Sequence, residues 1–386
     1  MSAYGHISVA IPMMAEYDNL PALFACLERQ TYPHFTVYCC VNSEEGSPYL
    51  DDNLRTLQWL HEYRGVALKV IDRCTPGHGW QGKQKGVGWA RKVLFDSIAG
   101  DNELIVSLDA DTAIDAEYLQ AVINTMNAAP QASVFSVPYY HPLSGDESLD
   151  RPMLRYECYM RHYLIALLRI RNPYAFTALG SSMVFPASAY RRVGGITPMA
   201  SGEDFYLMQK FAKTGDLVTC FAEPYDNARL AVRPQGRRSS RVPFGTGPAI
   251  ARGMDAIELS YPFYRPEAFE AVAATFAAFP GLYAQDAETP MSAFLRQQLR
   301  ANDLWGPLRR NFHDEEHFVH ACAERVDGLR ILQFLHSAPA FRLSDKEMPV
   351  DFRNDSISDL DAYRNRLFQE ELELRTMGVH GDTPIR

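Results

Sequence analysis

Net positive charge is the first thing this sequence lacks: 38 Lys and Arg face 47 Asp and Glu, a formal net charge of -9. A nucleic-acid surface needs clustered cations that outweigh self-repulsion, so that class is excluded and any basic site must be local. The seven cysteines contain no CxxC pair, and those beside apolar runs read as small buried hydrophobes. A reduced cytoplasm fits them best. Long apolar runs are also missing. The densest later stretch, Tyr163 to Leu168, is bounded by Arg161 and Arg169 and falls well short of a membrane span. The first residues enter a strand-like run with neither a basic nor an apolar leader, so a secretory signal is not expected. The expectation is a cytoplasmic protein without a transmembrane anchor, for which peripheral membrane contact stays open. Internal repeats and low-complexity tracts are absent.

What is present is an ordinary globular composition, 47% hydrophobic and 22% charged, on a chain of 386 residues. That length exceeds one typical core and implies a main domain with a substantial extension. His6 to Ile11 is a short apolar run ended by Pro12, and Leu20, Leu23, Phe24 and Leu27 then follow helical spacing. Phe35 to Val41 repeats the strand pattern and Leu50 to Tyr63 the helical one. Val66 to Ile71 and Glu103 to Leu108 are further strands, separated by a glycine-punctuated loop from Gly77 to Gly88 and a helix through Phe95. Strands alternating with helices predict a doubly wound, mostly parallel α/β sheet with ligands at the carboxyl ends of its strands. Beyond Asp111 come helices near Ala116 to Asn127 and Pro152 to Arg171, strands at Ser133 to Pro138 and Ser181 to Phe185, and a helix from Glu203 to Thr214. From about Pro248 the pattern is helical without further strands. The division expected is 1–247 for the α/β domain and 248–386 for an α-helical C-terminal extension.

The sharpest chemical feature is Asp109-Ala110-Asp111, two carboxylates one residue apart directly after the strand ending at Leu108. A hard cation such as Mn²⁺ or Mg²⁺ takes one or two carboxylates and completes its shell with water and substrate phosphates. No histidine to complete that shell is identifiable. Gly82-Lys83, followed by Gly86 and Gly88, opens a helix, where glycines allow close backbone approach and the helix N-terminus favours phosphate. Arg233 to Arg241 is the strongest basic cluster in the chain, and arginine's planar fork matches phosphate oxygens. Tyr156, Tyr159 and Tyr163 recur at helical spacing; they fit either packing or an acceptor pocket.

Together these motifs resemble family 2 glycosyltransferases and their GT-A fold. Ser8-Val9-Ala10-Ile11-Pro12, then Glu16, Asn19 and Leu20, then Gln30-Thr31-Tyr32-Pro33, then Val41-Asn42-Ser43 are similar to that family's opening β–α–β unit. The segment with Gly82, Lys83, Gly86, Gly88, Ala90 and Arg91 resembles the one before the family's metal motif. Gly195, Gly202, Glu203, Asp204 and Phe205 resemble its Glu-Asp pair at a helix start. Gln235 and Arg238 match two positions of its Gln-x-x-Arg-Trp motif, but Ser239 stands where the Trp belongs, which argues against processive polymer formation. The resemblance covers residues 5 to 247.

The resemblance implies transfer of a sugar from a nucleoside-diphosphate donor to an acceptor hydroxyl, metal-dependent and inverting. It implies metal at Asp109 and Asp111, Asp204 as general base, and donor contacts from Pro12, Glu16, Asn42, Lys83, Asp109, Glu203, Arg238 and Arg241. Asn42 replaces the Asp that commonly ends the second strand, removing a charge while keeping hydrogen-bonding capacity. The acceptor is open: a glycan, a lipid-linked molecule or a small molecule. Two other readings fit part of the pattern, a sugar-1-phosphate nucleotidyltransferase and a non-catalytic nucleotide- or glycan-binding protein. The first expects a glycine- and basic-rich loop after the first strand, where this chain has Pro12-Met13-Met14-Ala15-Glu16.

Overall fold

A computed structural model describes residues 3–98, 100, 102–199, 201–222, 225–238 and 246–380. The chain divides into two compact units, 1–157 with 176–256, and 158–175 with 257–386.

The first unit is built on β1 (His6–Met13), β2 (Phe35–Asn42), β3 (Leu68–Arg73), β4 (Glu103–Ser107), β5 (Thr112–Ala113), β6 (Ala132–Ser136), β7 (Met183–Pro186), β8 (Asp216–Val218) and β9 (Arg233–Pro234). Its helices include α1 (Leu20–Glu28), α2 (Leu50–Glu62), α3 (Val87–Asp96), α4 (Tyr118–Ala128), the start of α5 (Glu147–Arg169), α6 (Ala187–Arg192) and α7 (Glu203–Thr214). Seven strands form one sheet in the order β3-β2-β1-β4-β7-β6-β8. β1 pairs in parallel with β2 and β4, β2 with β3, and β6 with β8, whereas β7 runs antiparallel to both β4 and β6. The sheet is thus mostly parallel and doubly wound, as the alternation of periods predicts. Central β1 and β2 are buried almost throughout, which is why they read as continuous apolar runs rather than as alternating ones.

Three local differences from the sequence reading have physical causes. β1 does not stop at Pro12 but runs to Met13, because Pro12 lies past the last residue that pairs with β4 and faces Cys40 of β2 alone. α5 starts at Glu147 and holds Pro152 inside it. Pro152 has no N–H for the carbonyl of Ser148, and Arg238 Nη2 donates to that carbonyl instead at 3.4 Å and to Ser148 Oγ at 3.1 Å. The two-residue strands β5 and β9 pair antiparallel, a contact too short to leave a sequence pattern.

The second unit is mainly helical, with Pro266–Ala284, Ser292–Leu299, Glu315–Arg325, Gly328–Ser337 and Ile357–His380 as its longer helices. It also holds one strand pair, Phe263–Tyr264 against Arg342–Leu343, which corrects the expectation of a strand-free extension. Glu315–Arg325 and Gly328–Ser337 are separate helices, and Asp327 caps the second by accepting the N–H of Arg330 at 3.1 Å. The tyrosine stripe is largely packing: the Tyr159 ring lies tilted against Tyr261 with centroids 5.3 Å apart, and Tyr163 lies edge-on to Phe269 at 6.1 Å. Among the described residues, no helix is long and apolar enough to cross a membrane.

Candidate active site

Asp109 and Asp111 leave the sheet where β4 ends. Leu108 N–H still bonds Ala10 O at 3.1 Å, extending the β1 contact, and Thr112 N–H closes a turn onto Asp109 O at 3.1 Å. Leu108 and Ala110 are buried, which anchors the segment. The Asp109 side chain is 36% exposed and that of Asp111 15%.

Two arginines meet these carboxylates. Arg91 sits on α3 in line with Leu94 and Phe95, on the face that packs into the core. Its Nη2 donates to Asp109 Oδ1 at 2.5 Å and its Nη1 to Glu203 Oε1, with Arg91 and Glu203 4% and 2% exposed. Burial works against the guanidinium charge, but Asp109, Glu203 and Asp204 outweigh it and raise the pKa of Arg91. The guanidinium fits because residue 180 is glycine: a Cβ there would stand 1.9 Å from Arg91 Nη2. Gly88, one turn earlier on α3, likewise lets the backbone of Met199 approach, since a Cβ would lie 2.4 Å from Met199 O.

Arg237 reaches the second carboxylate. The β5–β9 pairing and the bond from Gln235 N–H to Asp111 O at 3.2 Å bring the basic segment against the acidic one. Arg237 Nε donates to Asp111 Oδ2 at 2.8 Å, and its Nη2 donates to Glu16 Oε1. Burial pushes the Asp111 carboxyl up to about 6 in spite of Arg237, with Asp109 and Glu16 adding to the rise.

Glu203 and Asp204 open α7 after Gly202, whose φ of +79° is the left-handed turn that glycine tolerates. Burial raises the pKa of both, against the pull of Arg91. Glu203 is held by Arg91, whereas Asp204 is half-buried, and its Oδ1 accepts the N–H of Phe205 at 2.8 Å.

The other residues singled out by sequence separate into distinct surroundings. Glu16 is buried, held by Arg237 and by Asn19 Nδ2 at 2.6 Å. Pro12 is buried in β1. Asn42 is 3% exposed; its Nδ2 donates to Met13 O at 2.9 Å and Cys40 O at 3.4 Å, and its Oδ1 accepts from Trp80 Nε1 at 3.1 Å. Lys83 is exposed in the loop before α3, with no ion pair among the described residues. Arg238 lies at the start of α5 on Ser148. Arg241 lies outside the described residues. Arg91 was legible only as part of a segment, although an arginine on the same helical stripe as Leu94 and Phe95 is itself a sign of a buried partner.

Asp109, Asp111, Glu16, Glu203 and Asp204 share the two cations Arg91 and Arg237, which leaves the site negative. Asp109 Oδ2 and Asp111 Oδ1 take no hydrogen bond among the described residues. That donor set fits a divalent cation held through two carboxylate oxygens, with the rest of its shell supplied from outside the protein. Among the described residues, no group of three or more His, Cys, Asp or Glu side chains is arranged for a metal.

Comparison with solved structures finds distant likenesses. TarS 1-349 of S. aureus, solved with UDP-GlcNAc, aligns at a TM-score of 0.43 and 12% identity, covering 83% of this chain and 90% of that one. The mannosyltransferase PcManGT from Pyrobaculum calidifontis, solved with GDP-Man and Mn²⁺, aligns at 0.40 and 15% identity, covering 97% and 84%. A search among curated proteins finds no match. The family described as Glycosyl transferase family group 2 matches residues 104–312, from β4 through the acidic motif, α7 and the basic segment. With more than half of its length matched, the chain belongs to glycosyl transferase family group 2 and is a glycosyltransferase.

Proposed function

We propose that this enzyme transfers a sugar from a nucleoside-diphosphate donor to an acceptor hydroxyl by direct, inverting displacement. The observation that carries the reading is the Arg91 bridge, which fixes Asp109 at the end of β4 and the Glu203-Asp204 start of α7 to one guanidinium. Donor-side and acceptor-side carboxylates are thereby held in one rigid network.

Asp204 is the base of choice, because Glu203 is consumed by Arg91 while Asp204 is half-buried and has its pKa raised toward the operating range. The acceptor oxygen attacks the anomeric carbon as its proton passes to Asp204, and the bond from that carbon to the diphosphate oxygen breaks. Asp109 and Asp111 are the residues that would hold Mn²⁺ or Mg²⁺. Such an ion supplies charge neutralisation for the departing diphosphate. Arg237 and Arg238, with Arg241 further along, form the basic segment for phosphate oxygens. Lys83 and Pro12 belong to the same donor reading, at the loop before α3 and the end of β1.

The acceptor class is a glycan, a lipid-linked molecule or a small molecule, and the site of action is cytoplasmic. The test is transfer from nucleotide sugars with Mn²⁺ present, with product anomers resolved by NMR. An inverted product lost in Asp204→Asn is the expected result, and retention of the donor's configuration would sink the base assignment.

A further inference from the structure

Between β1 and α1 the chain makes a turn that its sequence does not favour. Ala15 has a φ of +55°, in the left-handed region where the Cβ of an L-residue crowds the following carbonyl. Such a conformation persists only where its surroundings over-determine it, and here they are the N-terminal half of α2. Asn53, without solvent contact, accepts the Ala15 N–H on Oδ1 at 3.0 Å and donates from Nδ2 to Asn42 O at 3.2 Å, which ties the turn to the end of β2. Asp52 Oδ1 accepts the N–H of Tyr17 at 3.2 Å, and the Arg55 guanidinium stands 3.9 Å over the Tyr17 ring. Glu16 lies between these two clamped residues. Both of its carboxylate oxygens are engaged, Oε1 by Arg237 Nη2 and Oε2 by Asn19 Nδ2 at 2.6 Å, and the same guanidinium reaches Asp111 through Nε.

From this geometry we infer that Asn53 is a positioning residue for sugar transfer: by holding Ala15 left-handed it aims Glu16 at Arg237 and keeps that guanidinium ordered beside Asp111 before the donor arrives. The inference rests on the nucleoside-diphosphate reading above. Arginine loses much rotamer freedom when it is fixed, and one already held by two carboxylates has less left to lose when it turns to a phosphate. An amide suits the clamp because it offers an acceptor to the Ala15 N–H and a donor to the Asn42 carbonyl at once, which neither an aliphatic side chain nor a carboxylate does.

The test is calorimetric titration of GDP, UDP, ADP, CDP and TDP, with Mn²⁺ present, into the wild type, Asn53→Ala, Ala15→Gly and the double variant of these two. Asn53→Ala is also measured in an Arg237→Ala background. Asn53→Ala is expected to weaken the nucleotide that the wild type binds best by about five- to tenfold, the cost of leaving one arginine to be ordered on binding. Ala15→Gly alone is expected to stay within about twofold of wild type, and in the double variant to recover most of the loss, because glycine takes the left-handed turn without the clamp. With Arg237 already removed, Asn53→Ala is expected to change nothing further. Wild-type affinity in Asn53→Ala, no recovery in the double variant, or an equal loss in the Arg237→Ala background overturns the role of Asn53, since a side chain that only braced the fold would act independently of residues 15 and 237. Ala15→Val disturbs the turn without emptying the buried site, so it carries the test if Asn53→Ala does not fold: the same loss is expected, and wild-type affinity overturns the inference. No binding of any nucleoside diphosphate to the wild type overturns the donor reading itself.

Discussion

Arg91 and Glu203 form an ion pair with almost no solvent contact, 4% and 2% exposed, and the same guanidinium holds Asp109. A helix that packs on the sheet is therefore coupled, through one side chain, to the turn after β4 and to the start of α7. Arg91→Ala would strand two carboxylates, one of them fully buried, and is expected to cost about 3–5 kcal/mol of stability. Chemical denaturation of wild type and variant measures this. A double variant with Glu203→Gln is expected to recover part of the loss, since it removes the buried charge that the first substitution leaves unpaired.

Gly180→Ala tests the same network from its other side. The added Cβ would lie 1.9 Å from Arg91 Nη2, and the guanidinium has little room to yield while both of its ends are bonded. Overpacking of this kind costs about 1–3 kcal/mol. A lower thermal midpoint is expected, together with weaker donor binding as Asp109 shifts.

These two positions show how far the sequence can be read. The parallel sheet was legible because its central strands are buried on both faces and appear as apolar runs between amphipathic helices. The acidic pair was legible because it follows such a run directly. Gly180 carries no pattern of its own, and its need for a missing Cβ arises only when α3 folds back over it. Nor could residue type alone disclose that Asn42 is taken by Trp80, because an asparagine at a strand end looks the same whether it faces a ligand or an indole. The contact of Arg237 with Asp111 depends on a two-residue strand pairing far too short to register as periodicity.

Asp204 is expected to act in chemistry and not in donor binding. Asp204→Asn keeps the side chain's size and its acceptor for the Phe205 N–H but cannot take a proton. The turnover number is expected to fall by about 10²–10⁴-fold, while nucleotide binding, followed by thermal shift, stays within about twofold of wild type. Equal losses in both measurements would instead assign Asp204 to the donor site.

Metal binding should follow the ionisation of Asp111. Its carboxyl is pushed up to about 6, above the ordinary 3.8, chiefly by burial. The sign follows from which form each process needs. Without metal, ionisation of a buried carboxyl opposes folding, so this group's contribution is present at low pH and lost as pH rises through about 6. Metal needs the ionised form, so Mn²⁺ affinity is expected to be flat above about 6 and to weaken by about tenfold per pH unit below it. Mn²⁺ titrations followed by electron paramagnetic resonance between about pH 5 and 8 resolve this. An Asp111→Asn variant should bind weakly and without that pH dependence.

Arg237 competes for the same carboxylate. Its guanidinium bridges Asp111 and Glu16, so a cation approaching Asp111 meets a charge already in place. Arg237→Ala is therefore expected to bind Mn²⁺ alone several-fold more tightly than wild type, because like-charge repulsion is removed while both carboxylates remain. The same variant is expected to bind a nucleoside diphosphate with Mn²⁺ several-fold more weakly, having lost a phosphate partner. Opposite shifts in the two titrations distinguish an arginine that moves between carboxylate and phosphate from one that only braces the fold, for which both affinities would fall together.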